Sequence, residues 1–131
     1  MNKEFQREVL TARPNWLVTD DYFYVSPADH ILCGFLYEDV GGGAYIWRYA
    51  FPLYDHVDFI SLAFGERLPK GFIRPKGRSQ RELAHEFINH IEPYEAATFA
   101  WQDLRNFLTH VESLTTLGNP LEFPVFRGEG N

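Results

Sequence analysis

A single cysteine, Cys33, stands in 131 residues, so no disulfide can form within the chain. No apolar run approaches the ~18–20 residues that a helix needs to cross a bilayer. The opening segment, Met1 to Glu8, holds Lys3, Glu4, Arg7 and Glu8 and lacks the apolar stretch of a secretory signal. Together these absences predict a protein of a reducing compartment, most simply the cytoplasm, with no membrane association. No internal repeat, low-complexity tract or long linker interrupts the sequence, which predicts one domain over residues 1–131.

Aromatic residues are plentiful, at 17% of the chain with 12 Phe, 7 Tyr and 3 Trp. Disordered chains are poor in such side chains, because without them burial cannot offset the entropy of the ordered backbone. This chain therefore folds. Its formal net charge of −6 disfavours general nucleic-acid binding. The distribution is uneven, however. Arg67, Lys70, Arg74, Lys76, Arg78 and Arg81 lie in one stretch without an acid, a local charge of +6 that leaves −12 for the rest of the chain.

The N-terminal segment from Asn2 to Ala12 reads as a short helix capped by Asn2, with Phe5 and Val9 on one face and Pro14 as its stop. Strand signals follow. Trp16–Thr19 and Tyr22–Val25 flank Asp20-Asp21, and Ile31–Glu38 is apolar enough for a central strand. Gly41-Gly42-Gly43 makes a turn into Ala44–Phe51, and Val57–Phe64 supplies a further strand before Gly65. Alternation along Ala44–Phe51 puts Tyr45, Trp47, Tyr49 and Phe51 on one side, expected as core beneath the helices, and Ile46, Arg48 and Ala50 on the other. If uncovered, the aromatic side would form an interface patch.

Helical spacing dominates the C-terminal half. Ser79-Gln80-Arg81-Glu82 fits a capping box, after which Leu83, Phe87, Ile88 and Ile91 form a stripe. Pro93 breaks or restarts the helix, and Ala97, Trp101, Leu104, Leu108 and Val111 repeat at intervals of three and four as far as Gly118 and Pro120. The apolar tail Leu121–Phe126 is expected to pack back on the domain, and Gly128–Asn131 to fray. The predicted fold is α+β: a short N-terminal helix, an antiparallel meander of four or five strands, and two C-terminal helices packed on one sheet face.

Few motifs carry chemistry. His85 and His90 are five apart, about 140° around a helix, so they cannot share a metal as residues four apart do. Glu82, Glu86 and His90 form a stripe on which a Glu-His acid–base pair is possible, and Asp55-His56-Val57-Asp58 flanks an imidazole with carboxylates. Each also suits a solvated helix face or loop. Cys33 sits among apolar residues and reads as an inert core thiol. The triple glycine leads into a strand, not a helix, and so makes no phosphate cradle. No catalytic residue, metal or cofactor is assigned. The expected binding residues are Lys70, Arg74, Lys76, Arg78 and Arg81, whose cations precede a capped helix and suit a carboxylate, a phosphate or an acidic surface.

His30–Phe35, Tyr45–Tyr54 and Phe64–Leu68 carry a resemblance to small bacterial proteins with an aromatic sheet and a Pro-Leu-Tyr strand end. The resemblance implies a bacterial origin and lends no activity. In size and acidic charge the chain is similar to immunity proteins that neutralise toxins. The leading expectation is a non-enzymatic protein-interaction module, in its sharpest form a toxin-neutralising immunity protein with a basic toxin as partner. Binding of nucleic acid or a phosphorylated ligand through the basic 67–81 segment is the alternative, and a small hydrolase using Glu86, His90 or His56 is a third.

Overall fold

Asn2 starts the first helix as its sequence requires. In the computed structural model, which describes residues 1–27, 30–53 and 65–116 with side chains as far as 113, its Oδ1 accepts from the backbone N–H groups of Glu4 (2.7 Å) and Phe5 (3.2 Å). Helix α1 then runs Lys3–Ala12 and buries Phe5 and Val9. Arg13 ends it in a non-helical conformation, as expected for a residue that precedes proline. Its guanidinium grips Glu95 with two bonds, 2.8 and 2.7 Å, and so ties the end of α1 to the C-terminal helices.

The sheet is a five-stranded antiparallel meander in chain order: β1 (Leu17–Thr19), β2 (Tyr22–Tyr24), β3 (Ile31–Asp39), β4 (Ala44–Pro52) and β5 (Glu66–Ile73). Asp20 takes a positive φ of 53° in the tight β1–β2 turn, a conformation that Asp tolerates better than most residues. Between β3 and β4, the Asp39 carboxylate accepts from Gly41 N–H and Val40 N–H donates to the Gly43 carbonyl, both at 2.9 Å. Helix α2 (Gln80–Ile91) passes through a 3₁₀ turn at Pro93 into the short α3 (Glu95–Phe99), and a second 3₁₀ turn precedes α4 (Leu104–Thr116). The α+β class and the meander agree with the sequence pattern. No helix among the described residues is long and apolar enough to cross a membrane.

Three sequence expectations change. First, the cationic segment does not simply precede a helix, because it begins as β5, the outermost strand among the described residues. Ile46 stands opposite four β5 residues, Leu68 to Gly71, since the paired residues on either side are Tyr45↔Phe72 and Trp47↔Arg67. This bulge contains Pro69 and a left-handed Lys70 (φ 58°), which hide the strand from any period-two pattern. The strand expected over Val57–Phe64 and the tail Leu121–Asn131 lie outside the described residues.

Second, the C-terminal helical stripe changes phase. Asp103 adopts an extended conformation, and its carboxylate accepts from Arg105 N–H (2.8 Å) and Asn106 N–H (3.3 Å) to start α4 afresh. Trp101 and Phe107 are buried as a result, while Leu104 and Leu108 are 41% and 52% exposed.

Third, the helices cover the opposite face of β4 from the one expected. Ile46 joins the main core with Phe5, Phe23, Phe35, Leu83, Phe87 and Ile91, and Ala50 joins Ile31, Cys33, Trp101 and Phe107. Tyr49 and Phe51 instead cluster with Leu32 and Leu36 on the other side, with Tyr22, Tyr24 and Trp47 packed around them, and among the described residues no helix residue belongs to that group. The reason is steric. Ala44, Ala50 and Cys33 let the helices approach closely and supply the gaps into which Phe87, Phe107 and Trp101 fit.

Gly34 makes the second face possible. It lies between Tyr24 and Tyr49 in register, and the buried Tyr49 hydroxyl donates to the Phe23 carbonyl at 3.2 Å. A Cβ on Gly34 would stand 1.9 Å from that same carbonyl oxygen. Gly34→Ala is expected to cost about 2–3 kcal/mol, read as a lower urea midpoint. Gly42→Ala, where nothing lies within 4 Å, should stay within ~0.5 kcal/mol of the parent.

Candidate functional site

The face of β4 and β5 turned away from the helices carries an interleaved row of rings and cations. Cross-strand pairing brings Tyr45 against Phe72, their ring centroids 4.8 Å apart, and Trp47 opposite Arg67. The Arg67 guanidinium lies 3.9 Å from the Tyr45 ring centroid and 5.3 Å from that of Trp47. Arg74 lies 4.9 Å from Phe72. A guanidinium over a ring is held by the ring's quadrupole while its N–H edge stays available to a ligand. Glu38 of β3 completes the row. One of its oxygens accepts from Trp47 Nε1 at 2.8 Å and from Arg67 at 3.3 Å. Lys70 projects from the adjacent bulge, and Lys70, Arg74 and Lys76 are exposed.

The five sequence-predicted binding residues therefore part company. Lys70 and Arg74 border the ring row, and Lys76 follows in the next loop. Arg81 is exposed on the first turn of α2. Among the described residues none of these four forms an ion pair. Arg78 turns inward instead, pairing with Glu86 and donating to the Arg74 carbonyl at 3.2 Å, so it fastens the loop to α2. Arg67, Tyr45 and Phe72 were not among the predicted binding residues. The signal for them was the alternation of β4, but pairing with β5 was invisible without the bulge.

The amino end of α2 holds its own carboxylate. Ser79 Oγ accepts from Glu82 N–H (3.1 Å) while Glu82 accepts from Ser79 N–H (2.8 Å). That backbone hydrogen bond, with the Ser79 side chain, lowers the Glu82 pKa. Glu86 and His90 do meet, at 3.2 Å. Burial pushes the Glu86 carboxyl up, but hydrogen bonds from Arg78 and His90 outweigh it and leave the pKa below its ordinary value. Such a carboxylate is a poor proton acceptor, because its negative charge is already stabilised. His85 is exposed, and Asp55-His56-Val57-Asp58 lies outside the described residues. No three His, Cys, Asp or Glu side chains among the described residues are placed to hold a metal ion. Burial pushes the Cys33 thiol up to about 12.

Arg48 is a charge at a helix-facing position of β4. Its side chain is only 12% exposed, and it donates to Thr98 Oγ1 and to Glu66, both at 2.9 Å. It also lies 4.1 Å from the Trp101 ring, which in turn stacks on His110. A shallow groove of about 510 Å³ beside it is lined by Glu66, Ala97, Asn106 and Thr109 as well. A buried guanidinium needs such partners to offset its lost hydration, and here all of them come from the chain itself. Arg48 positions the C-terminal helices on the sheet.

Two outcomes check this electrostatic picture. Because Glu86 has a lowered folded-state pKa, its contribution is complete above the ordinary value of 4.5 and is lost as pH falls through the folded one. Glu86→Gln should therefore be less stable than the parent at neutral pH, with the gap in melting temperature closing under acid. Cys33 should resist alkylation at pH ~8 in the folded protein and react fully once unfolded.

No protein-family model matches this chain, and no curated protein or solved structure does so either.

Proposed function

We propose that the protein is a non-enzymatic protein-interaction module that meets its partner through the β4–β5 face, with a toxin-neutralising immunity protein as the narrowest form of that reading. The observation that carries it is the row of Trp47, Arg67, Tyr45, Phe72 and Arg74, in which two guanidinium groups are held against rings at a half-exposed surface. Tyr, Trp and Arg dominate the energetics of protein interfaces, because each offers a large contact area at low entropic cost together with a directional polar group. Rings that preorder the guanidinium groups lower the cost of ordering them on binding. The toxin-neutralising form draws on the rest of the chain, whose charge of −12 outside residues 67–81 would steer association with a basic partner.

A second reading, binding of nucleic acid or a phosphorylated ligand, has the exposed Lys70, Arg74, Lys76 and Arg81 in its favour. It predicts affinity that falls steeply with salt.

A photo-crosslinking side chain at position 70, in the exposed β5 bulge between Arg67 and Phe72, is compared with one at position 3, on α1, in the native host. One stoichiometric protein adduct from position 70 and none from position 3 is expected. No protein adduct from position 70, or equal capture from both, would defeat the reading.

A further inference from the structure

The β4–β5 face has an asymmetry that narrows what can occupy it. Arg67 and Trp47 already share a carboxylate oxygen, that of Glu38, at 3.3 and 2.8 Å. An acidic side chain thus satisfies this surface within the chain itself. Arginine has five N–H donors. Arg67 spends one on Glu38, and its side chain remains 48% exposed. Arg74 and Lys70 have no carboxylate partner among the described residues. Both are exposed, so their charges are open to an acid from outside the chain.

Backbone geometry decides how an occupant lies. Among the described residues β5 is an edge strand, and an edge invites another strand. Pro69 has no N–H to offer and Lys70 at φ 58° breaks the extended line, so a strand added here would lose a ladder bond and meet a bent edge. The rings and cations of the face offer an occupant more than this interrupted edge does. The occupant's length is limited as well. A nucleic-acid strand repeats its charge along its whole length and would run from the +6 segment onto a body of −12, whereas a peptide can confine its acids to the patch.

We infer that the partner presents a short acidic polypeptide segment across this face, its carboxylates on Arg67, Lys70 and Arg74 and an apolar side chain against Trp47 and Phe72. The inference rests on the protein-interaction reading above and names the chemistry of the one segment that meets this face, while the acidic remainder of the chain, at −12, is left to a basic part of the same partner.

Calorimetric titration of the full chain with a short peptide of alternating Glu and Tyr, and separately with oligothymidine of equal charge, tests it. The peptide should bind, and Arg67→Gln with Arg74→Gln should weaken it about tenfold or more. Lys70→Gln with Lys76→Gln, two exposed side chains, should weaken it in the same direction without touching a ring contact. Arg7→Gln with Arg105→Gln, an equal charge change on α1 and α4, should leave it within about twofold. Tighter binding of oligothymidine, no binding of the peptide, or equal losses in all three double variants would each overturn the acidic-segment inference. Peptide failure alongside a protein adduct from position 70 would leave the interaction module standing. Peptide binding without any adduct would remove the module and leave only a peptide-binding surface.

Discussion

Successive side chains of a strand point to opposite faces, and β4 has to serve two layers of different thickness. Helices can pack on a sheet only where the side chains between them leave room, and β4 turns Ala44, Ile46 and Ala50 toward them. The alternate positions then carry Tyr45, Trp47, Tyr49 and Phe51 to the other side. Arg48 is the polar exception on the helix side, and it is accommodated because Thr98, Glu66 and Trp101 surround it. From this one division come the core, the second aromatic cluster and the row of rings and cations. Shifting β4 by one residue would exchange all three.

The arginines show how burial dictates partnership. Arg48, almost fully desolvated, is matched by an acid, a hydroxyl and a ring from the chain itself. Arg13 and Arg78 are half-buried and likewise bound to Glu95 and Glu86. Arg67 is half-exposed and only partly matched, and Arg74 rests on Phe72 and is exposed. Charges that water can solvate need no internal counterpart, so exposed cations can stand without an ion pair. Residues joined in sequence within one basic stretch thus end in different roles. Arg78 secures the loop to α2, while Arg74 and Lys70 face outward.

Much of the fold was legible before any coordinates. Asn2, Ser79 and Glu82 signalled helix starts because capping depends on residues two or three apart. The β1–β2 and β3–β4 turns were legible for the same reason, since Asp20 and Gly41 answer to local backbone angles. β5 was not legible, because Pro69, Lys70 and Gly71 interrupt its alternation with a bulge that only pairing with β4 reveals. The phase of α4 escaped as well. Asp103 looks like an ordinary polar residue in a periodic run until its carboxylate is seen capping Arg105 and Asn106. The basic half of the candidate site was visible as a charge run, but Tyr45 and Trp47 were separated from it by twenty positions or more along the chain.

By itself the sequence determined the class of fold, the caps, the turns and the imbalance of charge, all of which depend on composition or on neighbours a few residues apart. Tertiary structure alone decided which face of β4 the helices cover and that Arg67 lies on Tyr45. It also decided that Arg78 is spent on Glu86 while Lys70 and Arg74 are not. Periodicity says that two faces differ, but not which one a distant helix will choose. That choice is made by the volume each face leaves, a property of side chains brought together only by folding.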